Sequence, residues 1–519
     1  MIRLVIDGRP VETPEGTTVL KAAEEAGIAI PHFCYHEAFP PEGSCRVCLV
    51  EIEGMPKLDL ACSAVVREGM KVRTTGERVI QARRAVLEFL LTEHPLDCPI
   101  CDKSGECKLQ DYCLDAGLTV NAFSEIREKR EKKIPIGEKL LLDRERCILC
   151  SRCVRFLRQV TGTRELGLFD RGVGTVIDLY EGEPVRNNYA GNLVDVCPVG
   201  AITDTEFRFK TRPWFLEARP AVCPLCSRGC SIWADYHPGF PRVAGSAKIY
   251  RFRPRLNPEV NGHWICDVGR YGALALERDR LAELRWIKGP SQARLSWATA
   301  IDGLAAQLRG LKISGAVDRA AIVLSSRLTS EELFLAKKIF HEELGVGAGR
   351  LVFADPADGE ADTLLLRADR TPNRQAAMRL GFSYQSDPGV ALKGASFAWI
   401  FGADREALEP SNLLAAALQD VPIKVLSAPQ ETGLEPLMDF VLPTASVFEK
   451  SGSFANGDGW DQEFRPVHRP CGNARSEESI LVDLGRALGL DPEFYASLDG
   501  PRAVARALRS ADSRFGGEG

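Results

Sequence analysis

Residues 145–156 read ERCILCSRCVRF. Cys147, Cys150 and Cys153 stand three residues apart, and Cys197-Pro198 follows after 43 further residues. A C-x2-C-x2-C run with a remote Cys-Pro is half of a bacterial ferredoxin pattern, in which thiolates hold a [4Fe–4S] cluster. In a two-cluster ferredoxin the Cys-Pro cysteine serves the other cluster. This chain has no second C-x2-C-x2-C run, so Cys197 is left to close the same site. Arg144, Arg146, Arg152, Arg155 and Arg158 surround the run; they either offset the charge of a cluster or form a solvated helix face.

Three more cysteine groups lie on either side. Cys34, Cys45, Cys48 and Cys62 fall in a short, strand-rich segment, and four thiolates there suit a [2Fe–2S] cluster with two sulfurs on each iron. Gly43 and Ser44 leave the backbone before Cys45 small enough to turn N–H groups towards sulfur. Zinc is the bland alternative, but zinc sites pair two short knuckles, whereas Cys34 and Cys62 stand alone. His94, Cys98, Cys101 and Cys107 form a set of one imidazole and three thiols that on its own suits structural zinc as well as iron–sulfur chemistry. Its neighbours favour iron–sulfur. Cys223, Cys226 and Cys230, with Cys266 after 35 residues, have the spacing of a further [4Fe–4S] site. These sets use fifteen of the seventeen cysteines; Cys113 and Cys471 remain. Cys113 competes as a ligand near Cys107 or packs as a thiol. Cys471 either ligates a metal in the C-terminal domain or is a single core or surface cysteine, and the second reading is favoured.

The rest of the chain frames these groups. The 519 residues, 45% of them hydrophobic, suffice for several packed domains. Clustered C-x-x-C spacing argues against a secreted disulfide scaffold. MIRLVIDGRPVE at the N-terminus alternates and carries no apolar signal region. No apolar run approaches the roughly 18 residues that span a bilayer, and a net charge of −5 carries no nucleic-acid signature. The expectation is a soluble protein of a reducing compartment, held at any membrane by a partner.

Five domains are expected: 1–80, a strand-rich 2Fe–2S domain with a hairpin at Asp7-Gly8; 81–122, a helical module around His94 and its three cysteines; 141–211 and 212–280, each with a [4Fe–4S] set; and 285–509, where AAIVLSS, FAWIFG and IKVLSA alternate with helical runs as in a parallel α/β domain. Residues 126–146 read as a charged linker broken by IPIG, and SADSRFGGEG as a disordered tail. No Gly-rich dinucleotide fingerprint and no Walker loop is present, so the chain reads as a wire between partners.

In order and wording, these groups resemble the large iron–sulfur subunit, the G subunit, of respiratory complex I (NADH–quinone oxidoreductase). The stretches that carry the resemblance are PHFCYHEAFPPEGSCRVCLVEIEG, LTEHPLDCPICDKSGECKLQD, ERCILCSRCVRF, GNLVDVCPVGAIT and CPLCSRGCSI with WICDVGRYG. It covers residues 1–280 closely. Residues 281–519 look like a shortened molybdopterin-oxidoreductase-type domain, with SWATAI near its entry and VLPTASVFEKSGSFANGDG near its end.

The resemblance implies an α+β series of iron–sulfur modules followed by that α/β domain. The modules are a β-grasp 2Fe–2S ferredoxin-like domain, a helical module with one histidine and three cysteines, a 4Fe–4S ferredoxin-like module and a Mo/W bis-MGD-type 4Fe–4S module. It implies one [2Fe–2S] cluster on Cys34, Cys45, Cys48 and Cys62. It implies three [4Fe–4S] clusters, on His94/Cys98/Cys101/Cys107, Cys147/Cys150/Cys153/Cys197 and Cys223/Cys226/Cys230/Cys266. Its partners are a flavin-carrying NADH-oxidising subunit and quinone-site subunits, on the cytoplasmic side of a bacterial inner membrane. The Gly-Arg usual after the late Asn segment is Gly459-Trp460 here, and no cysteine stands where molybdenum would be bound, so no molybdopterin is expected. The competing readings are a catalytic subunit of a Mo/W enzyme such as an NAD-linked formate dehydrogenase, an iron-only hydrogenase, which needs more cysteines after Cys266, and a zinc scaffold.

Overall fold

The computed structural model describes all residues except 121–128, 240–246, 287–294, 383–387, 403–410 and 516–519, and no side chain of 411–413. The chain divides into two compact units, Met1–Phe215 and Leu216–Gly519.

The first unit opens with a hairpin. Ile2–Ile6 pairs antiparallel with Arg9–Thr13, and Asp7 and Gly8 turn between them at φ 47° and 79°. Both central residues of this two-residue loop are left-handed, as the twist of a tight hairpin requires. The Asp7 carboxylate then accepts from Thr74 N at 2.6 Å. Ile2–Ile6 also runs parallel to Lys71–Arg73, and the five-stranded sheet is completed by Leu49–Ile52 and Asp59–Leu60. Helix Val19–Glu25, capped by Thr18, lays Val19, Leu20 and Ala23 onto Leu4, Ile6 and Val50. Helix Glu77–Glu93 follows and delivers His94 as its C-terminal cap.

Residues 134–142 are not a linker. Ile134–Gly137 and Leu140–Leu142 are antiparallel strands, joined on the other side by Ile202–Asp204. Pro135 is tolerated because its strand lies at the edge of this sheet, where a missing N–H breaks no ladder. Ile136, Leu140 and Leu142 are fully buried. The sheet places the start of the Cys147 run beside the segment after Cys197. Residues 126–128 of the expected linker lie outside the described residues.

In the second unit, Glu217–Val222, Ser231–His237 and Lys248–Pro254 form an antiparallel sheet that carries the Cys223 group at its first turn. A six-stranded sheet follows, in the order Arg285–Trp286, Phe440–Pro443, Lys424–Ala428, Phe397–Phe401, Ala320–Leu324, Leu351–Phe353. Every pairing is parallel except that of the edge strand Arg285–Trp286. Its central strands are apolar on both faces, as a sheet covered by helices on both sides must be. Leu304, Leu333 and Ile480 cover Ile322 and Trp399 on one face; Leu392 and Leu418 cover Val323 and Ile400 on the other. The expected disordered tail is partly ordered: helix Pro501–Ala511 takes in Ser510 and Ala511, and Phe515 beyond it is buried. Val504 and Leu508 hold that helix down.

Candidate metal centres

The first set is folded by a long loop between helix Val19–Glu25 and strand Leu49–Ile52. The left-handed Gly43 and Arg46 curl this loop around Cys45. A Cβ on Gly43 would stand 3.1 Å from the Leu60 side chain, so the turn has little room for a larger residue. Cys34 and Cys45 share a thiol hydrogen bond, and Cys48 and Cys62 share another. The Cys45 thiol, with Ser44 alongside, pulls the Cys34 thiol down to about 5; in the second pair Cys48 pulls Cys62 down. Their partners Cys45 and Cys48 move up, because each pair shares one proton. The four sulfurs interact with one another, and Cys34, Cys48 and Cys62 are almost wholly buried.

The second set straddles two helices. His94 closes helix Glu77–Glu93 with its N–H on Leu90 O, and its Nδ1 is buried. Cys98 opens a single 3-10 turn that ends at Cys101, and Cys107 caps helix Lys108–Asp115. Burial pushes the Cys107 thiol up to about 11, opposed by the Gln110 and Leu109 N–H groups at the helix start. Those amides favour a thiolate. Cys101 interacts electrostatically with both Cys98 and Cys107. Cys113, further along the same helix, is buried and feels both Cys107 and Cys98.

The third set wraps one cavity. Left-handed Leu149 and Ser151 bend the run so that Cys147, Cys150 and Cys153 all face inward. Cys197 lines the same cavity, closed by apolar Leu142, Ile177 and Val199. Burial pushes the Cys147 and Cys150 thiols up to about 12, because desolvation disfavours the thiolate.

Several contacts join these three sets. Gly200, three residues past Cys197, lies against the second set: a Cβ there would stand 2.3 Å from Cys101 Sγ. Arg152 and Arg155, from the short helix Arg152–Phe156, reach the loop of the first set. Arg155 donates to Cys34 O and, at 3.1 Å, to Pro40 O; Arg152 donates to Tyr35 O and, at 3.3 Å, to Val196 O. Arg146 grips Asp97 of the second set through two hydrogen bonds of 3.1 and 2.5 Å. The third set therefore touches both others, although the second precedes it in sequence. Of the five arginines, Arg146, Arg152 and Arg155 are buried and Arg158 is exposed, so the solvated-face reading fails for three.

The fourth set lies in the second unit. Cys223 N donates to Cys230 O at 2.9 Å, closing a tight knuckle whose left-handed Gly229 packs against Gln462. Cys226 lines one cavity with Cys223, Cys230 and Cys266. Gly269 N donates to Cys266 Sγ at 3.3 Å, and a Cβ on Gly269 would stand 3.1 Å from Cys223 Sγ. Leu366 and Arg370, from the molybdopterin-type region, complete the lining.

Within each set, then, thiols lie close enough to act on one another or to line one cavity; Cys45, Cys98 and Cys147 are half-buried and the others buried. Sequence reasoning missed two polar groups of the second unit. Glu277, Glu449 and His468 bring donor atoms within 4.8 Å of one another, but Arg280 enters the group at 2.6 Å from Glu449, which makes it a balanced ion network. Cys471 feels Arg280, Glu449 and Glu277. Deeper still, Lys450 Nζ lies 2.8 Å from Glu332 and 2.9 Å from Glu477, all three almost fully buried. No sequence periodicity marks such pairs, because their partners are more than a hundred residues apart or lie across an element boundary.

The fold and these centres define an iron–sulfur protein in which ferredoxin-like modules precede a molybdopterin-oxidoreductase domain. Family models match accordingly: a 2Fe-2S iron-sulfur cluster binding domain over residues 1–77, the NADH-ubiquinone oxidoreductase-G iron-sulfur binding region over 83–121, the ferredoxin-like domain of NADH-quinone oxidoreductase subunit 3 over 137–203, and molybdopterin oxidoreductase over 368–487. The G subunit of the NADH-quinone oxidoreductase of Streptomyces coelicolor is 36% identical over 89% of this chain and 55% of its own length. The NADPH-Fe(3+) oxidoreductase subunit alpha of Geobacter sulfurreducens is 35% identical over 67% of this chain and 40% of its own. A chain from the crystal structure of an NAD+-reducing [NiFe]-hydrogenase in the H2-reduced state is 32% identical over 41% of this chain and 91% of its own, with a TM-score of 0.38 that says nothing further about the fold. The chain spans about half the length of the curated relatives it matches. Over most of its length it is similar to NADH-quinone oxidoreductase G subunits, at 35–37% identity. Among the described residues no helix is long and apolar enough to cross a membrane.

Proposed function

We propose that this chain is the electron-transfer subunit of a proton-translocating NADH–quinone oxidoreductase, relaying electrons from NADH and flavin towards quinone. Cys34, Cys45, Cys48 and Cys62 hold a [2Fe–2S] cluster in a β-grasp-like domain. His94, Cys98, Cys101 and Cys107 hold a [4Fe–4S] cluster. Cys147, Cys150, Cys153 and Cys197 hold a second, and Cys223, Cys226, Cys230 and Cys266 a third. Such clusters supply one-electron carriers whose potentials the surrounding protein sets.

The observation that carries this reading is the pair of contacts at the third set: Gly200 on Cys101 Sγ and Arg155 on Cys34 O. They tie three donor sets into one continuous structure, as a relay needs. The protein's own part is to fix those loops, bury the sulfurs and exclude water. The partners are a flavin-carrying NADH-oxidising subunit and quinone-site subunits, with the membrane arm engaged indirectly. The chain is peripheral, on the cytoplasmic side of a bacterial inner membrane. No molybdopterin is bound, and the α/β domain is a scaffold.

The Geobacter relative supports a second reading, in which the same wire serves an oxidoreductase with a different donor and acceptor. A catalytic Mo/W subunit of the formate dehydrogenase type is a third. Iron and molybdenum/tungsten, measured together on the anaerobically purified chain, separate them. The expected result is about 14 iron atoms, from one two-iron and three four-iron centres, with no molybdenum or tungsten. Stoichiometric molybdenum or tungsten establishes a catalytic subunit instead. Reduction by an NADH-oxidising flavin subunit but not by an NADPH-linked one then decides between the first two.

A further inference from the structure

Arg152 differs from the other buried arginines of the first unit. Arg146 has Asp97 and Asp143, and Arg155 has Glu42 at 3.3 Å. Arg152 is 5% exposed, and among the described residues no carboxylate lies within ion-pair distance of it. Its guanidinium donates to two carbonyls, those of Tyr35 and Val196. Tyr35 directly follows Cys34 of the first set, and Val196 directly precedes Cys197 of the third. The residue itself stands between Cys150 and Cys153.

A guanidinium stays charged in any protein environment, and a buried charge is costly unless an opposite charge faces it. Around Arg152 the groups that can supply negative charge are the thiols of two sets: Cys150, Cys197 and Cys34 all act on it. Carbonyl hydrogen bonds fix where the fork points but do not neutralise it. A four-thiolate iron–sulfur centre is a net anion. One on each side of Arg152 provides the missing counter-charge, and the planar fork spans both loops at once.

We propose that Arg152 is the shared counter-ion of the centres held by the first and third sets, a positioning residue that locks their ligand loops together and raises both reduction potentials. The inference rests on the proposed assignment of clusters to those sets. Adding an electron to either centre raises its negative charge, and the nearby cation favours that reduced form. Removing the cation therefore lowers both potentials in the same direction.

The test is an EPR-monitored redox titration of the anaerobically purified, cluster-loaded full chain, following the two-iron and four-iron signals separately. In Arg152→Gln both signals should become about tenfold less reduced at a fixed poise, or about 59 mV for a one-electron couple. Arg152→Lys, which keeps the charge but not the fork, should hold both potentials within about twofold of the parent ratio. Exposed Arg158→Gln should shift neither. The proposal is overturned if Arg152→Gln assembles both centres and leaves either potential unmoved. If Arg152→Gln fails to assemble, Arg152→Lys decides: assembly with parent potentials supports a charge role, and failure overturns it in favour of shape alone. Absence of the two-iron or the Cys147-type signal from the parent chain would remove the cluster assignment itself, a different failure visible before any variant is made.

Discussion

Gly200→Ala offers the sharpest check on the packing between the second and third sets. The added Cβ would stand 2.3 Å from Cys101 Sγ and 3.2 Å from Lys103 Cβ. Ordinary contact between heavy atoms begins near 3.5 Å, so the sulfur must retreat by about 1.2 Å or the Cys197 loop must move. Cys197 belongs to another donor set, so that loop is not free to yield. Overpacking of this kind typically costs about 1–3 kcal/mol. For a unit of some two hundred residues that lowers Tm by roughly 2–12 °C. A displaced sulfur also leaves the Cys101 site short of a ligand. The expected outcome is loss of up to about four of some 14 iron atoms, with the two-iron signal intact. Gly174→Ala, whose Cβ would meet only Asp170 Cβ at 3.9 Å, is the matched control. Iron analysis, EPR and a thermal melt read all three quantities. A Gly200→Ala chain with full iron, unchanged spectra and the parent Tm would show that Gly200 does not press on Cys101, and the tie between these sets would fall.

His94→Ala should remove about four iron atoms while leaving the other EPR signals, since the proposed assignment gives His94 to the second set alone. Lys450→Met should destabilise the second unit by about 3–5 kcal/mol in denaturant titration, because it strands the buried Glu332 and Glu477 carboxylates, and unchanged stability would show that the triad is unimportant. Burial, with Glu332 and Glu331 nearby, pushes Glu478 up to about 8, so the folded state holds a proton that the unfolded chain releases near 4.3. That stability is complete below the unfolded value and is lost as pH rises through about 8. Tm should therefore fall between about pH 5 and pH 8, and Glu478→Gln should flatten the slope; an equal slope in both chains would refute the assignment.

The parts of this protein legible in its sequence are those fixed by local covalent spacing. C-x2-C knuckles, the Asp7-Gly8 hairpin and the helix ending at His94 depend on residues a few positions apart, so their pattern is visible in one dimension. The alternation of apolar runs with helical ones likewise announces the parallel sheet. Segment 134–142, which reads as linker, has the opposite problem. Its strands are three and four residues long, one contains a proline, and dense charge precedes them. Their strand character comes from pairing with Ile202–Asp204, some sixty residues later. The tail misleads for a related reason: Phe515 finds a buried place that no local signal announces. Gly200 illustrates the limit within the site itself. Its neighbour Cys197 is identified by spacing, but the need for glycine at 200 comes from a sulfur almost a hundred residues earlier.

The two units handle buried charge in different ways, and this bears on how each depends on its metals. In the second unit Lys450 is met by Glu332 and Glu477, and Arg280 by Glu449 and Glu277, so these charges balance within the polypeptide. In the first unit Arg152 has no carboxylate partner among the described residues, and three of the chain's four donor sets lie between Cys34 and Cys197. Stripping iron leaves that guanidinium buried with no carboxylate partner among the described residues, and burial pushes the neighbouring Cys150 thiol towards its neutral form. The first unit should therefore lose cooperative structure when the metal is removed. The α/β core of the second, built from a covered parallel sheet and self-compensated ion pairs, should remain folded. On the proposed cluster assignment, iron binding in the first unit is part of its folding free energy.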